Sequence, residues 1–198
     1  MVDASLLKRA YLPPVHWEAS LDKVPDNLVY KKYVVNWLNS CKNNVMQAKG
    51  LMFLGKVGRG KSALAAICLK QALSLGIVSH WVSFRRLADI KINGEQFSET
   101  HSLWDRLCRV PLLVLDELQV DPSTGNRFQG QLVEDLIRFR VDNRKCSIIT
   151  SNYSTSEIEK NHPTLFSILG EAVIPIPIDG IDFRAVKRKH LGEGILDG

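Results

Sequence analysis

The sequence predicts an α/β fold, a parallel sheet with helices on both faces. Three observations carry that expectation. Short apolar runs alternate with helix-forming stretches along nearly the whole chain, the order that builds parallel strands joined by helical crossovers. A glycine-rich turn at residues 55–62 lies between one apolar run and an Ala/Leu-rich stretch. A later apolar run ends in two adjacent carboxylates, Asp116 and Glu117. In a sheet of this kind ligands bind at the carboxyl ends of the strands.

Each element follows from local pattern. Residues 1–29 hold Pro13, Pro14 and Pro25, show no sustained periodicity, and read as an arm lying over the domain. Residues 30–43 place Tyr30, Tyr33, Val34, Trp37 and Leu38 at helical spacing, one buried face. Residues 50–54 (GLMFL) are a buried strand. Residues 62–75 form a strong helix, and Gly76 is placed to stop it. Residues 77–84 are a second strand, followed by helices at 85–92 and 98–109. Residues 110–115 (VPLLVL) are a third strand, with Pro111 near its start, where a missing donor is tolerated. A helix over 127–141 turns Phe128, Leu132 and Ile137 inward. Residues 146–150 are a fourth strand. Short helices at 154–160 and 163–169 precede a late strand at 173–178 that prolines interrupt. Residues 1–45 are expected to form an N-terminal arm and helix, and residues 46–198 the main domain.

Composition excludes several classes. The chain has 198 residues, 45% hydrophobic and 24% charged, values of a globular domain with a real core. No run reaches the roughly 18 apolar residues of a membrane span, and no signal peptide is evident, so a cytoplasmic location is expected. The cysteines at 41, 68, 108 and 146 make no zinc spacing, and Cys68 and Cys146 read as small buried hydrophobes. A net charge of +5 permits nucleic-acid binding without requiring it. Basic groups cluster at Arg138, Arg140, Arg144 and Lys145, at Arg85 and Arg86, and at Arg184, Lys187, Arg188, Lys189 and His190. Each is able to meet the phosphates of single-stranded DNA or simply to face water. Trp17, Trp81 and Trp104 read as core or interface residues.

The chemistry concentrates in three pieces. Gly55-Lys56-Val57-Gly58-Arg59-Gly60-Lys61-Ser62 matches G-x-x-x-x-G-K-[ST] in full, with a strand before it and a helix after it. The glycines let backbone N–H groups curl around phosphate oxygens, and the helix that follows, through Ala63, adds its positive end. Lys61 supplies charge for the β- and γ-phosphates, and Ser62 a ligand for Mg²⁺. The pattern predicts binding of a nucleoside triphosphate, ATP, with Mg²⁺ as cofactor. Asp116 is placed to hold the metal through water, and Glu117 to take a proton from an attacking water. Asn152, just past the fourth strand, is placed to orient that water.

With these motifs in place, the sequence resembles a known family. GLMFLGKVGRGKSALAAICLKQAL, LLVLDEL and SIITSNYSTSEI, in that order, are similar to the AAA+ ATPases of the DnaC/DnaI helicase-loader and IstB transposition-helper group. GKVGRGKS and the late DGIDFR also resemble the ZapE-type ATPases that act on protein clients. Glu157, five residues after Asn152, is more particular to the loader group. The resemblance implies an AAA+ core of the P-loop NTPase class, with Lys61 and Ser62 in Walker A, Asp116 and Glu117 in Walker B, and Asn152 as sensor 1. It also implies Arg184 as the sensor 2 arginine at the nucleotide. As partners it implies a replicative helicase or another DNA-transaction protein, with single-stranded DNA, and homo- or hetero-oligomers formed on ATP binding. The family places an arginine finger between sensor 1 and sensor 2, yet residues 146–183 contain no arginine and Lys160 is the one lysine there. Slow hydrolysis by the chain alone is therefore expected, or an adaptor with little turnover. A partner-gripping domain, usual before the ATPase of loaders, is not expected in residues 1–45.

Overall fold

Strands buried on both faces need no polar alternation, a condition that residues 50–54 and 146–151 meet in full and the edge segment 173–177 does not; five segments of this chain lie side by side. In the computed structural model, which describes residues 2–94, 98–119, 127–180 and 182–183, they form one five-stranded sheet. The strands are β1 (Gly50–Leu54), β2 (Ser79–Ser83), β3 (Leu112–Leu118), β4 (Cys146–Ser151) and β5 (Val173–Pro177), in the order β2-β3-β4-β1-β5. Every pairing is parallel, as the alternation of elements predicts.

Helices cover both faces. α1 (Ala4–Arg9), α2 (Val29–Asn39), α3 (Cys41–Met46) and α4 (Lys61–Ser74) share one core with Leu51, Phe53, Leu112, Val114 and Ile148. On the other face, α5 (Phe84–Gly94), α6 (Ser98–Arg109), α7 (Arg127–Asp142), α8 (Thr155–Asn161) and α9 (Pro163–Ala172) enclose Met52, Leu54, Leu113, Leu115 and Ile149. Neighbouring strand residues thus serve opposite cores, as the period of two dictates. Among the described residues no helix is long and apolar enough to cross a membrane.

Most boundaries match expectation, and the departures have local causes. The predicted helix over 30–43 is broken at Ser40, where the Asn44 side-chain amide donates to the Trp37 carbonyl at 3.0 Å and takes an acceptor the helix would use. β2 starts two residues later than predicted. Gly76, at φ 75°, closes α4 with Ile77 N–H donating to Ala72 O at 2.9 Å, so Ile77 belongs to the cap. The same left-handed ending follows α1, α3 and α7, at Tyr11, Ala48 and Arg144.

The arm is more ordered than its prolines suggest. Asp3 caps α1 by accepting from Ser5 N–H. Leu7, Ala10 and Leu12 are buried, and Trp81 N–H of the edge strand β2 donates to Ala10 O at 2.8 Å. Lys70 of α4 clamps the arm through the carbonyls of Trp17 and Ala19. At the opposite edge, β5 carries Pro175 and Pro177.

Candidate functional site at the carboxyl ends of the strands

Between β1 and α4 the chain must reverse tightly, and glycines make that possible. Gly55, Gly58 and Gly60 have φ of 146°, 85° and 84°. At Gly55 a Cβ would collide with the Ile178 carbonyl, and at Gly58 with the Asp182 carboxylate. The turn is therefore pressed against the chain that follows β5. There Ile178 N–H donates to Leu54 O at 2.6 Å and Phe183 N–H to Gly58 O at 3.0 Å. α4 then begins at Lys61, and its N-cap, Gly60, offers no side-chain oxygen to the leading N–H groups. A 14-residue helix thus presents bare donors and the positive end of its dipole to the turn, a cradle that suits phosphate oxygens. Val57 is exposed at the rim, while Arg59 and Ala63 are half-buried along the loop and first helical turn.

Lys61 is 7% exposed. Its ammonium donates to Gly55 O at 2.6 Å, Lys56 O at 2.8 Å and Asn152 Oδ1 at 2.8 Å. The helix start, the turn and the end of β4 thus converge on one charge. Beside it Ser62 Oγ donates to Asp116 Oδ1 at 2.8 Å. The hydroxyl and carboxylate predicted to serve one metal ion are adjacent, and oxygen donors of this kind fit Mg²⁺.

Asp116 and Glu117 lie on β3, which runs two residues beyond Asp116 instead of ending before it. Between Leu115 and Leu118 the β3–β4 register shifts, so β3 carries one extra residue, and Glu117 adopts φ 60°. Such a bulge re-aims side chains at a strand end. Thr150 fastens it. Its Oγ1 donates to Asp116 Oδ1 at 2.7 Å and accepts from Glu117 N–H at 2.9 Å. Asp116 is held 8% exposed, whereas Glu117 is exposed to water. Sequence reasoning missed Thr150. Its one signal was a hydroxyl near the carboxyl end of the buried fourth strand, which it shares with Ser151.

The remaining expectations divide. Glu157 closes a capping box with Ser154 at the start of α8, a local role that lowers its carboxyl below the usual range through hydrogen bonds from Ser154. Arg184 and the basic residues from Lys187 to His190 lie outside the described residues. Arg138, Arg144, Arg85 and Arg86 are exposed or at the surface. Arg140 corrects the reading of its cluster, being fully buried and bonded to carbonyls of Leu107, Cys108, Val110 and Cys146 and to Ser147 Oγ. It joins α6, α7 and β4 and is not available to phosphates. Cys68 and Cys146 are buried as expected, and burial pushes the Cys146 thiol up to about 12. Trp81 lies in the core, 4% exposed.

The model of the IstB-like ATP-binding protein family matches residues 5–165. The chain belongs to that family. Its fold is that of the AAA+ P-loop proteins. The crystal structure of the DnaC helicase loader superposes with a TM-score of 0.71 at 24% identity, covering 84% of this chain and 100% of that one. A candidate primosome component from Streptococcus pyogenes serotype M3 gives 0.71 at 18% identity over 92% and 99%. The replication initiator DnaA bound to AMPPCP and single-stranded DNA gives 0.68 at 18% identity, over 92% of this chain and 56% of that one. A search of curated proteins gives no match.

Proposed function

We propose that this family member is a loader-type ATPase, which binds ATP with Mg²⁺ and uses it to deliver or remodel a protein of DNA replication or transposition. The observation that carries this reading is the convergence of Lys61, Ser62, Asp116 and Asn152 at one strand end. Residues 46–198 are the ATPase domain in this reading, and residues 1–45 an arm and helix that complete it.

The residues divide the labour. The turn from Gly55 to Gly60 and the N–H groups through Ala63 wrap the phosphates. Lys61 exchanges its neutral carbonyl partners for charged phosphate oxygens, a stronger kind of bond. Ser62 and Asp116 hold Mg²⁺, which when bound offsets the charge on the phosphate oxygens. Glu117, exposed beside Asp116, accepts the proton of an attacking water, and Asn152 orients that water. The loader-like partner, a replicative helicase or similar protein, and a cytoplasmic setting rest on the likeness to the DnaC helicase loader.

A second reading, an adaptor with little turnover, is favoured by the lack of arginine between residues 146 and 183. Lys160 there is a point charge without the planar fork of a guanidinium. ATP turnover measured against protein concentration, with and without a candidate partner, separates the two. The loader reading expects slow hydrolysis alone and acceleration by the partner. Glu117→Gln should keep ATP affinity within about twofold and cut that turnover by roughly 10²–10⁴. A Glu117→Gln protein turning over at the parent rate removes Glu117 as the base. No turnover with any partner leaves the adaptor.

A further inference from the structure

Far from the nucleotide turn, at the amino end of β2, the structure holds a cavity of about 980 Å³. That is at the top of the range of about 300–1,000 Å³ for ligand sites. Its walls are the end of α1, residues 76–80 leading into β2, and the last turns of α6. Parallel pairing sets Ser79 beside Leu112 and Ser83 beside Asp116, so the cavity and the carboxylate site occupy opposite ends of the sheet.

Four cations line it, Lys8 and Arg9 from α1 and Arg106 and Arg109 from α6, all exposed. Among the described residues the lining has one carboxylate, Asp105, and Arg109 already engages it at 3.5 Å. Each cation sits in the last turn of its helix, where the dipole favours positive charge. That accounts for cations at each helix end, not for two helix ends facing each other across one cavity. Nor does it account for the aromatic group in the same lining. Tyr11, 46% exposed, stands at the cavity with its ring 4.8 Å from the His80 ring, and the Arg86 guanidinium lies 5.8 Å above the tyrosine. Arg86 and Arg106 also act electrostatically on His80, which burial and these cations hold down at about 4 and therefore neutral at pH 7. Cations flanking a supported, half-exposed aromatic ring match the chemistry of an unstacked base on a phosphate backbone. An acidic peptide would use the cations and leave the ring idle. A duplex keeps its bases stacked, away from a ring set in a concavity.

We propose that this cavity binds single-stranded nucleic acid, with phosphates on Lys8, Arg9, Arg106 and Arg109 and a base on Tyr11. The site is separate from the ATP site, and its test needs no turnover. Fluorescence anisotropy of a labelled oligothymidylate on the full chain, without ATP, measures it directly. Replacing Arg106 and Arg109 together by Ala should weaken binding at least tenfold near 100 mM salt and lower the slope of log K against log salt by about 1.4. Tyr11→Asn, which tolerates the left-handed backbone, should weaken it by roughly 5- to 150-fold. Arg144→Ala with Lys145→Ala, at another surface, should change little. Binding by the double-arginine variant within twofold of the parent overturns the proposal. So does displacement of the strand by inorganic phosphate at constant ionic strength, which means a simple anion site, or by polyglutamate as readily as by unlabelled strand, which means a peptide groove. If the alanine variant does not fold, photo-crosslinking of an iodouracil strand to the unaltered protein decides. Crosslinks in residues 6–11 or 105–110 support the site, and crosslinks confined to other segments refute it.

Discussion

Lys61 and Arg140 are both buried cations, at 7% and 0% exposure, and both are satisfied by uncharged oxygens, yet they serve opposite ends. Lys61 holds the carbonyls of a glycine turn and one side-chain amide. In the proposed reading these partners yield to other ligands, and the ammonium is a rotatable point charge. Arg140 spreads a rigid fork over the end of α6, the link from α6 to β3 and the start of β4. Its partners are fixed by the end of α6 and by β4, and burial lowers it to about 10, still charged at neutral pH. A buried charge whose acceptors can be exchanged is suited to a ligand. One whose acceptors are locked is a fastening.

The largest test of that contrast is Arg140→Ala. It should cost about 3–5 kcal/mol of stability in urea denaturation, since it empties a buried volume and strips several carbonyls of their donor, while the folded fraction keeps its ATP affinity. Lys61→Ala should do the reverse. Losing a charge-assisted bond of about 1.5–3 kcal/mol should weaken ATP binding by roughly 10- to 150-fold in calorimetry, with a smaller effect on stability. Unchanged ATP affinity would remove Lys61 from the site. Thr150→Val keeps shape but deletes the hydroxyl that ties Asp116 to Glu117 N–H. It should cost about 1–3 kcal/mol in urea denaturation, and turnover should fall more than ATP affinity does. The smallest effect concerns His80, held down at about 4 from an ordinary 6.5. Between these values the unfolded chain binds the extra proton, so stability falls as pH drops through the window and is restored above it. Denaturation at about pH 6.5 and pH 5 should differ by on the order of 1 kcal/mol, and His80→Phe should flatten that difference.

Much of this was legible before the fold was seen. Strand β1 and helix α6 match their predicted limits, because apolar runs and amphipathic periods are local signals. The glycine turn and the Asp116-Glu117 pair were legible for the same reason. Arg140 was not, because a buried guanidinium and a solvated one look alike among neighbouring cations. Its role depends on carbonyls 30 to 33 residues away. Thr150 was hidden for a related reason. A hydroxyl in a buried strand acquires its meaning from a bulge on the adjacent strand, and no spacing rule connects residues 33 apart. The break at Ser40 likewise came from a side chain competing for a backbone acceptor.

The two prolines of β5 have a consequence for growth. Ile178 N–H points at β1, so the alternation of a strand turns positions 175 and 177 the other way, outward. Both are proline and have no hydrogen to offer there. At the far margin the arm already occupies the Trp81 N–H. Each rim thus has donors removed or engaged, which disfavours pairing with a newcomer strand. A contact made through helices, loops and charge can be loosened again by salt or by a ligand, where a backbone seam could not.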